Sequence, residues 1–339
     1  MTVLNIQDLH TYFHTNEGTV RAVEGVDMQI ETGEIVGLVG ESGSGKSVTA
    51  RSAMGLIDSP GEIVDGTIEF DGRDMLSLSE EELRQIRGDE MSMVFQDPMT
   101  AFNPTQTVGR QLHDVLRTHR DGPVNPLYRL VGLDHSTEHQ EVVIDMLDRV
   151  GIPEAETRYG DYPHEFSGGM LQRAMIAMSL LCEPGLVLAD EPTTALDVTI
   201  EGQILTLFRD LVKEFNTAVL WITHDLSVVS EICDKVVVMY AGKVMEVGPT
   251  EAVLNDPQHP YTQGLLRSVP RYDRPDQELY AISGNVPSPH SRPSGCRFAD
   301  RCPDAHDICH TEHPPQYQSG DQLAACYLLD EEQKVEVAE

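Results

Sequence analysis

The chain is predicted to be an α/β protein with a central, mostly parallel sheet, followed by a second, smaller module of irregular structure. Three observations lead there. Short β-rich apolar runs alternate with helical patterns over roughly the first 250 residues. The apolar runs are continuous rather than alternating, as in strands buried on both faces. From about Asp256 the composition changes, with prolines at 257, 260, 270, 275, 287, 289, 293 and 303. A length of 339 residues also exceeds the roughly 250–300 at which single cores stop growing.

In chain order, the first clear strand is Glu34 to Val39, which runs into a Gly/Ser loop and a helical segment rich in Ala and Met. Between Val108 and Tyr162 the pattern turns helical and polar, and the run from Glu141 to Val150 places apolar residues at helix spacing. This reads as a helical subdomain over about residues 97–182. Ala174 to Leu181 is a further helix, and Gly185 to Asp190, Thr217 to Thr223 and Asp234 to Tyr240 are strands. The resulting domains are residues 1–255, then a module over 256–328 with sparse regular structure. The stretch 329–339 is a frayed acidic tail. No internal repeat is present.

Asp and Glu number 56 against 24 Lys and Arg, a net charge of -32. Such a field repels phosphate backbones and anionic lipid, so nucleic acid is excluded as a direct partner. The sequence holds only five lysines. That balance suits a high-salt cytoplasm, where the Debye length falls to about 3 Å, and points to a halophile. No apolar run reaches the roughly 18–20 residues of a membrane helix, and Met1 to His10 lacks the features of a secretion signal. A cytoplasmic product is expected, in which six cysteines are not a disulfide framework.

Gly40-Glu-Ser-Gly-Ser-Gly-Lys-Ser47 matches G-x-x-x-x-G-K-[ST] between a strand and a helix. Glycines at 40, 43 and 45 allow the sharp turns that aim N–H groups inward, with Ser42, Ser44 and Val48 completing the segment, and the helix start adds partial positive charge where phosphates sit. Lys46 is placed for the β- and γ-phosphates and Ser47 for Mg²⁺. Leu186-Val-Leu-Ala-Asp190-Glu191 is a buried strand ending in paired acids. Asp190 fits a Mg²⁺ ligand acting through water, and Glu191 the group that polarises the attacking water. Phe166-Ser167-Gly168-Gly169-Met170-Leu171-Gln172-Arg173 opens a helix and makes another N-terminal anion site.

With these elements the chain resembles the ABC ATPases, P-loop NTPases whose signature is usually written LSGGQ, and within them the dipeptide/oligopeptide/nickel importer branch. Phe166 and Met170 stand where the general family has Leu and Gln. The resemblance implies an antiparallel β edge region beside the central sheet. It also assigns further residues. Gln96 becomes the glutamine that senses Mg²⁺ and faces the membrane subunit, and His224 the switch histidine for the γ-phosphate. Asp197 becomes the aspartate that bridges two subunits, and Phe13 the aromatic that stacks on adenine, with Tyr12 its neighbour in register. It implies two domains sandwiching two ATPs, each phosphate loop facing Ser167, Gly168 and Gly169 of the other. It further implies partnership with two membrane permease subunits, a second ABC ATPase and, indirectly, an extracytoplasmic substrate-binding protein. The seat is then the cytoplasmic face of the membrane, peripheral to it. Dipeptides and oligopeptides lead as cargo, with nickel and sugars as alternatives and a soluble, non-transport ABC ATPase as the rival class.

Cys296, Cys302, Cys309 and Cys326 are separated by five, six and sixteen residues in a proline-rich segment with little core of its own. A metal would supply the stability that burial cannot. The spacing matches neither the usual zinc pattern nor the common ferredoxin runs. The importer branch implies a [4Fe–4S] cluster, with zinc or free thiols as the alternatives. His306, His310 and His313 are expected to face solvent, and Cys182 and Cys233 to be inert packing residues. The run His259-Pro-Tyr-Thr-Gln-Gly-Leu-Leu266 also matches the branch.

Overall fold

The computed structural model describes residues 1–120, 136–193, 197–269 and 281–330. The expected acidic tail therefore lies, from residue 331 onward, outside the described residues. The chain divides into two compact units, Met1–Ser77 with Leu220–Glu339, and Leu78–Val219.

The first unit carries two sheets. In one, β1 (Thr2–Thr15), β2 (Gly18–Glu31), β4 (Gly61–Phe70) and β5 (Arg73–Asp74) pair antiparallel in the order β2-β1-β4-β5. β1 buries Leu4 and Ile6, then Leu9 and Thr11, so the two-residue period slips once between Ile6 and Leu9. A bulge absorbs the slip: both pairings shift register there, and Asp8 takes φ +47°. Gly66 faces the bulge at φ +99°, where an added Cβ would come within 2.5 Å of the Asp8 carbonyl oxygen. The inward face of the strand is thus kept apolar on both sides of the irregularity.

The other sheet of this unit contains β3 (Ile35–Val39), β8 (Ala218–Thr223), β9 (Lys235–Tyr240), β10 (Lys243–Pro249), β11 (Tyr317–Ser319) and β12 (Gln322–Ala324), in the order β11-β12-β10-β9-β3-β8. β3 and β9 run parallel, with Val36 opposite Lys235 and Val39 opposite Val238. Every residue of β3 and β8 is buried, which is why these strands read as unbroken apolar runs. β9 returns as β10 through Ala241 and Gly242, both at positive φ as a tight hairpin requires.

Regular structure beyond Asp256 exceeds the expectation. A nine-residue helix, Pro260–Ser268, begins inside the proline-rich region because Pro260 occupies its first turn, where a missing N–H costs nothing, and His259 Nδ1 caps it by accepting from the Tyr261 N–H at 3.0 Å. Short elements follow, among them the 3-10 turn Ala299–Arg301 and the helix Asp307–Thr311.

The second unit pairs β6 (Met91–Val94) parallel with β7 (Leu186–Asp190), Met91 opposite Leu186 and Val94 opposite Ala189. Helices Val108–Arg120, Ser136–Arg149 and Gly168–Leu180 pack on one another, burying Leu112, Leu116, Val143, Leu147, Leu171 and Met175. Helix Val198–Phe215 follows β7 in the chain. Among the described residues no helix is long and apolar enough to cross a membrane.

Candidate nucleotide site and cysteine cavity

In the first unit, β3 delivers the chain into the Gly40–Ser47 loop, and helix Lys46–Ala53 leaves it. Gly40, Gly43 and Gly45 have φ of +153°, +76° and +104°. Two of these positions are also closed to a side chain: a Cβ on Gly40 would sit 2.1 Å from the Met239 carbonyl oxygen, and one on Gly45 2.6 Å from that of Ala22. Lys46 is 6% exposed and folds back over the loop, its Nζ donating to the Gly40 and Glu41 carbonyls at 2.7 and 3.2 Å. Ser44 is buried, and among the described residues its hydroxyl has no hydrogen-bond partner. A loop bent by three glycines at a helix start is suited to an anion.

His224 is exposed at the end of β8, immediately before helix Leu226–Ile232. Phe13 is half-buried on β1, opposite Val20 on one neighbour and Gly61 on the other. An added Cβ on Gly61 would meet its ring at 2.6 Å, so the glycine makes room for it. Tyr12 is engaged elsewhere, its hydroxyl 3.2 Å from His10 Nδ1 and the Arg21 guanidinium 5.8 Å above its ring.

In the second unit, β7 ends in Asp190, which is 6% exposed, and Glu191, which turns out of the strand at φ +48°. A non-glycine residue in that region stores strain, as functional positions often do. Gln96 Nε2 donates to Glu191 Oε2 at 3.0 Å, so the structure brings together two residues that lie 95 positions apart in sequence. Ser167 caps helix Gly168–Leu180, its Oγ accepting from the Met170 N–H at 3.3 Å. Among the described residues nothing lies within 4 Å of a Cβ added at Gly168. Asp197 is exposed and starts helix Val198–Phe215 through its carbonyl, which accepts from the Ile200 and Glu201 N–H groups at 2.9 Å each.

The four C-terminal cysteines all line one cavity of about 20 Å³ in the first unit, together with His259, Ala299 and Tyr327. Cys296 N–H donates to the Cys309 carbonyl at 2.7 Å, an approach that needs Gly295, whose Cβ would lie 2.2 Å from the same oxygen. Burial, reinforced by the Cys296, Cys302 and Cys309 thiols, pushes Cys326 up to about 12, and burial pushes Cys302 up to about 11. A bound cation inverts that preference and favours thiolates. The donor chemistry therefore fits a thiolate-bound metal. The placement stops short of a ligand set, since among the described residues no group of three or more His, Cys, Asp or Glu is arranged to hold a metal ion.

Of the three nearby histidines, His310 is exposed as expected. His313 corrects the expectation: it turns inward, and burial, with the Lys243 and Arg297 charges, lowers it to about 4. Cys182 and Cys233 are buried in the core, and Cys233 Sγ packs where Gly37 leaves room, 3.0 Å from the position of a Cβ there. Sequence reasoning missed Glu41, Tyr240, Tyr261 and Arg301, which meet beside the phosphate loop. Only Tyr261 carried a signal, as part of the His259 to Leu266 run.

A glycine-built phosphate loop behind a parallel strand, a buried strand ending in paired acids and a serine-capped glycine helix define an ATPase of the ATP-binding cassette class. The fold agrees: a cassette named MJ0796, solved as a dimer bound to ADP and Pi, superposes with a TM-score of 0.62 at 25% identity over 73% of this chain and 98% of that one. The chain belongs to the ABC transporter family, whose model matches residues 23–194, while the model for the oligopeptide/dipeptide transporter C-terminal region matches residues 245–309. Similar proteins include the oligopeptide transport ATP-binding protein AppD of Bacillus subtilis (strain 168), 47% identical over 98% of both chains. The OppD protein of Salmonella typhimurium is 49% identical over 97% of this chain and 95% of its own. The dipeptide transport ATP-binding protein DppD of Escherichia coli (strain K12) is 44% identical over 98% of both.

Proposed function

We propose that this chain hydrolyses ATP to energise a membrane importer of oligopeptides or dipeptides, bound peripherally to two permease subunits on the cytoplasmic face of the membrane. The observation that carries this reading is the Gly40–Ser47 loop, with its three glycines at positive φ and Lys46 closing over it, in a chain that is similar to peptide-transport ATPases over nearly its whole length.

In the first unit, loop amides and Lys46 bind the β- and γ-phosphates, Phe13 stacks on the adenine, and His224 donates to the γ-phosphate. Ser47, Gln96 and Asp190 are the groups suited to Mg²⁺, which when bound neutralises charge on the phosphate oxygens. Glu191 accepts a hydrogen bond from the attacking water and orients it. That water adds to the γ-phosphorus as the bond to the bridging oxygen breaks, its proton passes to the Glu191 carboxylate and from there to solvent, and ADP and phosphate leave. Ser167, Gly168 and Gly169 of one ATPase close over the nucleotide of a second, and Asp197 bridges the pair. ATP thus joins the two, and hydrolysis separates them, moving the permeases. An extracytoplasmic binding protein supplies the cargo.

The finer features belong to the same reading. Cys296, Cys302, Cys309 and Cys326 are proposed to hold a [4Fe–4S] cluster or a zinc ion, supported by their convergence on one cavity. Anaerobic purification with iron, sulfide and zinc analysis decides between the two, and metal-free protein of unchanged stability removes both. The net charge of -32 supports a halophilic origin. The transport reading is tested by isolating the Glu191→Gln variant from detergent-solubilised membranes with ATP and Mg²⁺. Two polytopic permeases among the retained proteins are expected, and retention of only soluble nucleic-acid or ribosomal proteins overturns it.

A further inference from the structure

The second residue of the phosphate loop is an acid, and the C-terminal segment holds it from outside the loop. The Glu41 N–H donates to the Tyr261 hydroxyl at 2.9 Å, and its carbonyl accepts from Lys46 at 3.2 Å. Its carboxylate accepts from Arg301 Nη1 at 2.9 Å, across 260 positions of sequence. Arg301 uses its whole fork: Nη1 also donates to the Tyr240 hydroxyl at 3.0 Å, Nε to the Ser283 carbonyl at 2.9 Å and Nη2 to that of Ile282 at 3.3 Å. Its side chain is 6% exposed and that of Glu41 26%. Tyr240, Tyr261 and Phe298 form an aromatic wall with centroids 4.6 to 5.4 Å apart, and the guanidinium lies 5.6 and 5.8 Å from the Tyr240 and Phe298 rings. This is a pair in a low-dielectric setting, where each charge needs the other.

We infer that Arg301 is a positioning residue for ATP, acting through Glu41 to neutralise the acid inside the phosphate loop and to hold the first half of that loop in its anion-ready shape. The inference rests on reading Gly40–Ser47 as the triphosphate loop. The electrostatic reason is direct. A carboxylate one residue into a loop meant for a polyanion repels it, and desolvation on binding strengthens that repulsion. Pairing with Arg301 cancels the charge and draws the side chain toward Tyr240. The same contacts fix the Gly40–Glu41 backbone, whereas Gly43, further along, has nothing among the described residues within 4 Å of an added Cβ. The segment that carries the cysteines thereby sets the affinity of the loop: Arg301 ends the 3-10 turn directly before Cys302.

The test measures Mg·ATP binding by calorimetry, with steady-state hydrolysis and thermal unfolding, on the full-length chain. Arg301→Met is expected to weaken ATP binding about tenfold, or about 1.4 kcal/mol, since the unpaired Glu41 charge opposes the polyanion through a partly exposed side chain. KM should rise while kcat stays within about twofold. Arg301→Lys should recover part of the loss. Adding Glu41→Gln to Arg301→Met should recover most of it, because the repelling charge is gone, which a role confined to anchoring Ser283 and Ile282 would not produce. A double variant as weak as Arg301→Met, or Arg301→Met with wild-type affinity, overturns the inference. Should Arg301→Met fail to fold, Arg301→Lys with and without Glu41→Gln gives the same comparison. Wild-type protein that binds no ATP removes the underlying reading instead.

Discussion

Replacing Glu191 by Gln removes a carboxylate while keeping its shape. In the structure Glu191 Oε2 accepts from Gln96 Nε2 at 3.0 Å. A glutamine can offer its amide oxygen to the same donor, so the backbone at φ +48° keeps the contact that helps hold it. The change is thus expected to spare the fold and to act on proton chemistry alone. Loss of a positioned general base lowers rates by about 10²–10⁴. At about 1.4 kcal/mol per tenfold, the barrier rises by about 3–5 kcal/mol. The assay is phosphate release under single-turnover conditions, paired with size-exclusion chromatography in ATP and Mg²⁺. Hydrolysis should fall by that factor, ATP affinity should hold, and a closed dimer should accumulate with ATP. An undiminished hydrolysis rate would refute the assignment of Glu191 and the chemical scheme built on it.

Gly40→Ala places a Cβ 2.1 Å from the Met239 carbonyl oxygen at a φ of +153°. It should destabilise the first unit by about 3 kcal/mol or more, and nucleotide binding should fall with it, as read by urea unfolding and calorimetry. His313 is lowered by burial from 6.5 to about 4, so the unfolded chain binds the extra proton first. Its contribution to stability is complete above about pH 6.5 and is lost as pH falls toward about 4. A melting-temperature series over that window should slope downward toward acid and become shallower in His313→Gln, the remaining slope coming from His259, which burial lowers to about 3. With a net charge of -32, melting temperature should climb steeply from low salt to about 1 M, where screening shortens to about 3 Å. A fold fully stable without molar salt would contradict the halophilic reading.

Local chemistry made much of this protein legible from its residues. Four strands were expected at Glu34–Val39, Gly185–Asp190, Thr217–Thr223 and Asp234–Tyr240, and each begins one residue later. Burial on both faces writes itself as an unbroken apolar run. The phosphate loop was legible because its glycines answer to backbone geometry within a few residues, and the signature run was legible as a helix start, which in the structure Ser167 caps. Short-range rules misjudged the proline-rich segment, where Pro260 opens a helix instead of preventing one.

What tertiary structure alone decided lies at long sequence separation. No pattern in the chain announces that Gln96 meets Glu191, or that the cysteine segment places Arg301 on Glu41. It also turns His313 inward and gathers the four cysteines around one cavity. Periodicity and motif spacing report what a residue's near neighbours require of it. A charge pair closed across 260 positions depends on where two sheets and their connections bring the backbone, and that is settled only when the whole chain packs.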